Sequence, residues 1–536
     1  MKNVWKKHYP VHIQSEITIP DMALSDILLQ SVESYPDNSA LYFYGRTLSY
    51  KELGKQTGAF AAALQANGMK KSDRVAVMLP NCPQYVISYY GILQAGGIVT
   101  QVNPMLVERE LDHILTDSGA ETIVIYAPLV PVLENIKQNT SIKQVIAVNF
   151  QEEYSSIYGE IEFAAFLKQA SKPPAPVSIN PQEDIAVLQY TGGTTGRSKG
   201  AMLTHRNIIA NIFQIDEYFK DNMKTGSERY LTVIPLFHVF GMTSCMNMAV
   251  YTGAINILLP RFDLEEVLKT IKELQPTVFP GVPTMYVALT NHPEAEKYGL
   301  DSIRVCNSGS APIPGELMRS FEGKTGAHIL EGYGLSETSP TTHCNPPFAE
   351  RKIGSVGIGV PSTEYKIVDV AGGTEELAPG ESGEVIIKGP QVMKGYWNMP
   401  EETASAIRDG WLYTGDIGKV DEDGYLYIID RKKDMIIAGG FNIYPRDVEE
   451  VIYEHLAVQE AVVVGVPDVY RGETVKAVVV CKEGQTASEE DIIDYCRKYM
   501  AAYKVPREIE FRKELPKTNV GKILRRAIRE ESAKKA

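Results

Sequence analysis

Two stretches without a single Asp, Glu, Lys or Arg, Val75 to Val107 and Tyr230 to Pro260, constrain this chain more than any other feature. Each is longer than the roughly 20 apolar residues that a membrane-spanning helix needs. Yet both are punctuated: Pro80, Pro83, Gly91, Gly96, Gly97 and Pro104 break the first, and Pro235, Gly241 and Gly253 the second. Apolar segments interrupted in this way are the buried strands and helices of an α/β protein. Val75-Ala-Val-Met-Leu79 reads as a parallel strand. Pro80-Asn-Cys-Pro83 then opens a helix to about Ala95, Gly96-Gly97 stops it, and Ile98-Val-Thr-Gln-Val102 is the next strand. The rhythm recurs at 122–126, 144–148, 185–190, 254–259 and 277–279, which predicts parallel sheets covered by helices.

After about Gly354 the texture changes. Strands at 365–370, 383–388 and 425–429, set between Gly, Pro and acidic turns, predict a small β-rich module. From about Asp430 a compact α+β unit follows: a helix from Pro445 to about His455, strands at 461–465 and 475–480, a helix from Ser488 to about Met500, and a Lys/Arg-rich tail. Lys plus Arg total 54 against 67 Asp plus Glu, a net charge of −13, which argues against a nucleic-acid partner. Six scattered cysteines without a CxxC exclude a disulfide framework and a zinc finger. The basic N-terminus has no apolar run behind it, so no signal peptide is expected and the reading is cytoplasmic.

Five segments carry chemistry. Thr191-Gly192-Gly193-Thr194-Thr195-Gly196-Arg197-Ser198-Lys199 follows an apolar strand. Glycines let backbone N–H groups approach an oxyanion, and hydroxyls and a lysine add donors and charge, the ingredients of a phosphate cradle. It is not a Walker loop, because Gly196 and Lys199 are separated by two residues. Glycine alone would leave a surface turn equally good; the hydroxyls and Lys199 decide for phosphate. Glu331-Gly332-Tyr333-Gly334-Leu-Ser-Glu337-Thr338 offers one carboxylate among small residues, suited to a Mg²⁺ that keeps its waters, although by itself a turn with a solvated glutamate is the better reading. Asp416, after Thr414-Gly415, could accept from a ribose diol. The run Asp430 to Asp434 reads as a charged, exposed junction and a natural hinge, or simply as a solvated face. Lys522 follows Gly521 ahead of an apolar pair, but a lone lysine near a C-terminus usually faces solvent. His238, in Pro235-Leu-Phe-His-Val-Phe-Gly241, is more often a satisfied core histidine than a catalyst; its apolar surround also fits the wall of a lipid-like pocket.

In this order and spacing the five segments resemble the adenylate-forming superfamily of acyl-CoA synthetases, luciferases and peptide-synthetase adenylation domains, over nearly the whole chain. The resemblance implies a large N-terminal domain, 1–430, of two helix-covered, mainly parallel sheets plus a small β-barrel-like module, and a mobile α+β domain, 431–536. Thr191 to Lys199 would hold the β- and γ-phosphates of ATP. Ser310 and Ala311 would lie beside adenine, with Tyr333 stacked on the base within Glu331–Gly334. Glu337 would ligate Mg²⁺ and Thr338 would contact the α-phosphate. Asp416 would bind the ribose, helped by Arg431. Lys433 matches the hinge, Gly439-Gly440 the pantetheine tunnel and His238 the gating histidine. Lys522 would bridge the attacking carboxylate and the α-phosphate. A carboxylate would attack ATP to give acyl-AMP and pyrophosphate, and coenzyme A would then take the acyl group after rotation at Lys433.

The wording of the Thr191 loop and of Phe237-His-Val-Phe-Gly241 most resembles bacterial long-chain fatty-acid–CoA ligases. Around His238 there is no carboxylate to pair an amino group. Acetate enzymes have Trp where this chain has Gly334, which leaves the acyl tunnel open. Ser198 departs from the proline that many members carry before the loop lysine. The alternatives are ligases for medium-chain, branched or aryl acids, an acyl-AMP ligase serving a carrier protein, and a non-catalytic binding protein. A fatty-acid substrate implies transient contact with membrane; monomer and homodimer both remain open.

Overall fold

The computed structural model describes residues 4–150, 156, 158–191, 198–432, 434–438, 441–468, 472–500, 502–517 and 523–535. They gather into two compact units: Trp5–Glu364 with Lys388–Leu412, and Tyr365–Ile387 with Tyr413–Ala536. Among the described residues, no helix is long and apolar enough to cross a membrane.

The larger unit contains two sheets. In the first, six strands run parallel in the order Ile329–Gly334, Val305–Ser308, Val278–Gly281, Arg229–Thr232, Ile255–Leu258 and Ser39–Phe43. Antiparallel strands Thr341–Cys344 and Arg46–Ser49 flank them. In the second, Ile185–Thr191, Ile98–Gln101, Arg74–Met78, Thr122–Tyr126 and Gln144–Val148 run parallel in that order. Lys199–Thr204 pairs antiparallel with the first of these, and the edge strand Gly395–Tyr396 pairs with Lys199–Thr204. The uncharged stretch beginning at Val75 thus becomes strand, helix Pro83–Gln94 and strand, as its breakers predict.

The helix Leu264–Leu274 shows how such elements form. Asp263 caps it by accepting the Glu266 N–H at 3.1 Å, and Glu265 and Glu266 suit the positive end of its dipole. Val267, Leu268 and Ile271 lie on one face and are fully buried against the first sheet, each worth about 1.5–3 kcal/mol. Asp263→Ala would remove the cap, a loss of about 1 kcal/mol.

In the smaller unit, Glu364–Val368, Gly383–Lys388, Trp411–Val420 and Leu426–Arg431 form a sheet that does not close on itself among the described residues. The β-barrel-like module is therefore an open sheet. Beyond it, Val458–Asp468 and Gly472–Cys481 pair antiparallel over nearly their whole length. Alternation sends Ala461, Val463, Val475, Ala477 and Val479 into one core and Val462, Val464, Val466, Val478 and Val480 into another. Helices Pro445–Tyr453 and Glu489–Tyr499 contribute to the first core. Ile528 of helix Arg525–Lys535, in what reads from sequence as a basic tail, is buried in the second.

Candidate active site

In the first sheet, Gly281, Ser308 and Glu331 stand side by side at the C-terminal ends of three parallel strands. Ligands of open α/β sheets bind at such ends. Ser310, just beyond, holds a left-handed φ of 68°, and Gly309 lies where a Cβ would come within 3.3 Å of the Phe240 ring. Ser310 is exposed and Ala311 half-buried, so the segment predicted beside adenine does reach the surface. Glu331 is buried, whereas Gly332 and Tyr333 are half-buried.

Gly334 has a backbone reason to be glycine. A Cβ there would sit 2.1 Å from the Pro340 carbonyl oxygen, so any side chain, not only the tryptophan of acetate enzymes, is excluded. Thr338 is fully buried; its hydroxyl accepts the Leu335 N–H at 2.9 Å and donates to the Pro340 carbonyl at 2.5 Å. That hydroxyl is committed to holding the Glu337 turn.

The Thr191–Lys199 pair closes the hairpin between two strands. Gly192, Gly193, Thr194, Thr195 and Gly196 lie outside the described residues. The base of the loop is anchored at two points: the Tyr190 hydroxyl donates to Asp117 at 2.6 Å, and His113 Nε2 donates to the Ser198 carbonyl at 2.9 Å. Lys199 forms an ion pair with Glu402 and lies 5.2 Å above the Tyr396 ring, whose hydroxyl donates to Glu337 Oε1 at 2.8 Å. One tyrosine thus joins the loop lysine to the carboxylate predicted to hold Mg²⁺. No group of three or more His, Cys, Asp or Glu suited to a metal occurs among the described residues. A single half-buried, oriented carboxylate fits a Mg²⁺ that keeps its waters and takes its other ligands from phosphate.

His238 is half-buried. Its Nδ1 accepts the Phe240 N–H at 3.3 Å, which leaves the proton of a neutral ring on Nε2. Gly241 begins a π-helical turn, Gly241–Asn247, and its Cβ would lie 2.3 Å from the Pro235 carbonyl oxygen. π-Turns are rare and often mark functional sites. Two glutamines that sequence reasoning did not single out hold this segment: Gln189 Nε2 donates to the Phe237 carbonyl at 3.1 Å, and Gln101 Nε2 lies 3.0 Å from Met242 Sδ. Their signal was a polar residue near the end of each of two apolar strands, in register with one another.

In the smaller unit, Asp416 and Arg431 face each other across an antiparallel pair, with Arg431 Nε 2.9 Å from Asp416 Oδ1. Gly415, at φ 70°, donates its N–H to Glu384, and Lys432 pairs with the same carboxylate at 3.0 Å. Lys433, Gly439, Gly440 and Lys522 lie outside the described residues. The charged run beside them is not uniformly exposed. Asp430 keeps 1% of its side-chain surface, accepts the Arg431 and Arg446 N–H groups, and pairs with Arg525 at 2.9 Å. Burial pushes its carboxyl up despite Arg525, and pushes Glu449, the other partner of that guanidinium, up as well.

Residues 28–397 match the AMP-binding enzyme family, and 447–522 match the AMP-binding enzyme C-terminal domain. A long-chain-fatty-acid–CoA ligase of Bacillus subtilis (strain 168) is 49% identical over 548 residues, covering 98% of this chain and 98% of its own. One from Salmonella typhimurium is 40% identical and covers 99% of each chain. Among solved structures, ATP-bound MatB from Rhodopseudomonas palustris superposes with a TM-score of 0.86 at 32% identity, over 95% of this chain and 99% of that one.

Proposed function

The chain belongs to the AMP-binding enzyme family, and on that premise we propose that it is an ATP-dependent ligase that joins a long-chain fatty acid to coenzyme A. The observation that carries the reading is the link through Tyr396 between Lys199 and Glu337, a cation and a metal-competent carboxylate on one ring. Polyphosphate needs both kinds of group within reach. Full-length likeness to long-chain-fatty-acid–CoA ligases supports the substrate class.

The reaction has two halves. A carboxylate oxygen attacks the α-phosphorus, the bond to pyrophosphate breaks, and acyl-AMP forms. The coenzyme A sulfur then attacks the acyl carbonyl, the bond to phosphate breaks, AMP leaves and the thiol proton passes to solvent. Thr191 to Lys199 hold the β- and γ-phosphates. Ser310, Ala311 and Tyr333 take the adenine, while Asp416, oriented by Arg431, accepts from the ribose hydroxyls. Thr338, which holds the Glu337 turn, contacts the α-phosphate. Mg²⁺, when bound at Glu337, neutralises charge developing on phosphate oxygens. Lys522 bridges carboxylate and α-phosphate during the first half. The functional boundary is placed at 430/431, inside the smaller compact unit, with Lys433 the hinge that exchanges Lys522 for Gly439-Gly440 in the second half. His238 gates the acyl tunnel. ATP and coenzyme A as substrates support a cytoplasmic site of action.

Lys522→Ala tests this assignment. Loss of a preorganised donor worth about 3–4 kcal/mol should slow acyl-AMP formation by roughly 100-fold or more. Thioester formation from supplied acyl-AMP should stay within a few-fold of the parent. Equal loss of both halves would show that the lysine is assigned the wrong role.

A further inference from the structure

Lys199 is occupied. Its ammonium is paired with Glu402, a residue 203 positions away in sequence, and its side chain keeps 13% of its surface while that of Glu402 keeps 45%. The pairing depends on one short segment. Gly395–Tyr396 adds to the edge of Lys199–Thr204, with Tyr396 opposite Ala201. The Tyr396 N–H donates to Thr403 Oγ1 at 2.9 Å, which fastens the segment to the helix Pro400–Ala406. The aromatic beneath the lysine and the carboxylate paired with it therefore come from the same eight-residue stretch, 396–403.

We propose that Glu402 is a positioning residue for the loop lysine and an internal stand-in for polyphosphate. It holds the Lys199 ammonium over Tyr396 between turnovers, yields it to the triphosphate, and recaptures it as pyrophosphate leaves. The proposal rests on the reading of Thr191–Lys199 as the phosphate loop.

One observation and two general magnitudes favour exchange over a merely structural pair. The two partners are unequally buried: Glu402 can swing into water at little cost, whereas Lys199, mostly covered, stays where a second anion can reach it. A partly exposed pair is worth only about 0–1 kcal/mol, weak enough for a ligand to break. A triphosphate offers several charged oxygens to the same ammonium, and charge-assisted bonds are the stronger kind. Because the carboxylate competes for the one ammonium, it disfavours every polyphosphate that uses Lys199, ATP and pyrophosphate alike.

The experiment uses the full chain with Glu402→Gln. At saturating fatty acid and coenzyme A, the KM for ATP should fall about three- to fivefold, and the inhibition constant of added pyrophosphate should fall by a similar factor, with no gain in kcat. Glu401→Gln, at an exposed neighbouring position, should leave both constants unchanged. Lys199→Ala should raise the KM for ATP at least tenfold, and adding Glu402→Gln to it should produce no further change, since the two act through one contact. An unchanged or raised KM for ATP in Glu402→Gln, with pyrophosphate inhibition unmoved, would overturn the proposal while leaving the phosphate loop intact. Lys199→Ala without effect on either constant would remove the loop reading and this proposal together. Equal thermal midpoints for the parent and Glu402→Gln would show that the kinetic shift does not come from unfolding.

Discussion

Two cations, Lys199 and Arg525, sit in opposite surroundings. Lys199 meets one carboxylate that keeps 45% of its surface, and lies 5.2 Å from the Tyr396 ring. Arg525 meets two carboxylates that keep 1% and 11%, and the neighbouring Arg446 and Val463 N–H groups bond to those same carboxylates. The first arrangement can exchange its anion for a ligand. The second resists exchange, because removing Arg525 would leave Asp430 and Glu449, at 1% and 11% exposure, without that counter-charge. Exposure of the carboxylate, more than the presence of an ion pair, separates a site that turns over from one that holds a unit together.

The largest effect expected from this contrast is at Arg525. Arg525→Ala should cost the smaller unit about 3–5 kcal/mol, read from chemical unfolding, because Asp430 and Glu449 would be left buried and unpaired. Arg525→Leu combined with Asp430→Asn and Glu449→Gln should recover at least half of that loss. A cost below about 1 kcal/mol for the single change would place Arg525 in the same class as Lys199 and erase the distinction.

A titration sharpens the contrast on the larger unit. Burial holds His205 at about 4, below its usual 6.5, and its Nδ1 accepts the Leu24 N–H at 3.0 Å, a bond only the neutral ring can make. The unfolded chain therefore takes up a proton that the folded one refuses. Stability is full above pH 6.5 and falls as pH drops toward about 4, by up to roughly 3 kcal/mol at about 1.4 kcal/mol per unit. Thermal unfolding across that window, with His205→Gln as the comparison, should show a drop that the variant lacks. Identical profiles would contradict it.

Smaller effects are expected at the edges of the site. Asp416→Ala removes an acceptor held by Arg431, and a lost charged hydrogen bond of about 1.5–3 kcal/mol should raise the KM for ATP roughly 10- to 100-fold. An effect on kcat alone would move Asp416 out of nucleotide binding. Tyr396→Phe keeps the ring under Lys199 but loses the bond to Glu337, which at about 0.5–1.5 kcal/mol should raise the Mg²⁺ needed for half-maximal rate a few-fold. A shift in the KM for ATP without one in Mg²⁺ dependence would show that the ring matters and the hydroxyl does not.

The strands at 122–126 and 144–148 were legible to the residue, because a buried parallel strand is a continuous apolar run and its ends are marked by the loss of that run. Lys199 reads from its company of glycines and hydroxyls as a phosphate-loop lysine, whereas Glu337 by itself reads as a solvated turn. Tyr396 and Glu402 were not, since their place beside Lys199 depends on an edge strand that arrives late in the chain. The run Asp430 to Asp434 reads as a solvated face from composition, whereas Asp430 is buried and meets Arg525, 95 positions later in the chain. Gly334 reads from resemblance as an open tunnel; the Pro340 carbonyl that also demands it is a contact of the folded backbone.

The most direct test of the central claim is release of AMP and pyrophosphate from ATP and Mg²⁺ with acids from acetate to oleate, each with and without coenzyme A. The account predicts turnover that requires coenzyme A and peaks at long chains. Acyl-AMP that accumulates regardless of coenzyme A, or no turnover with any long-chain acid, would contradict it.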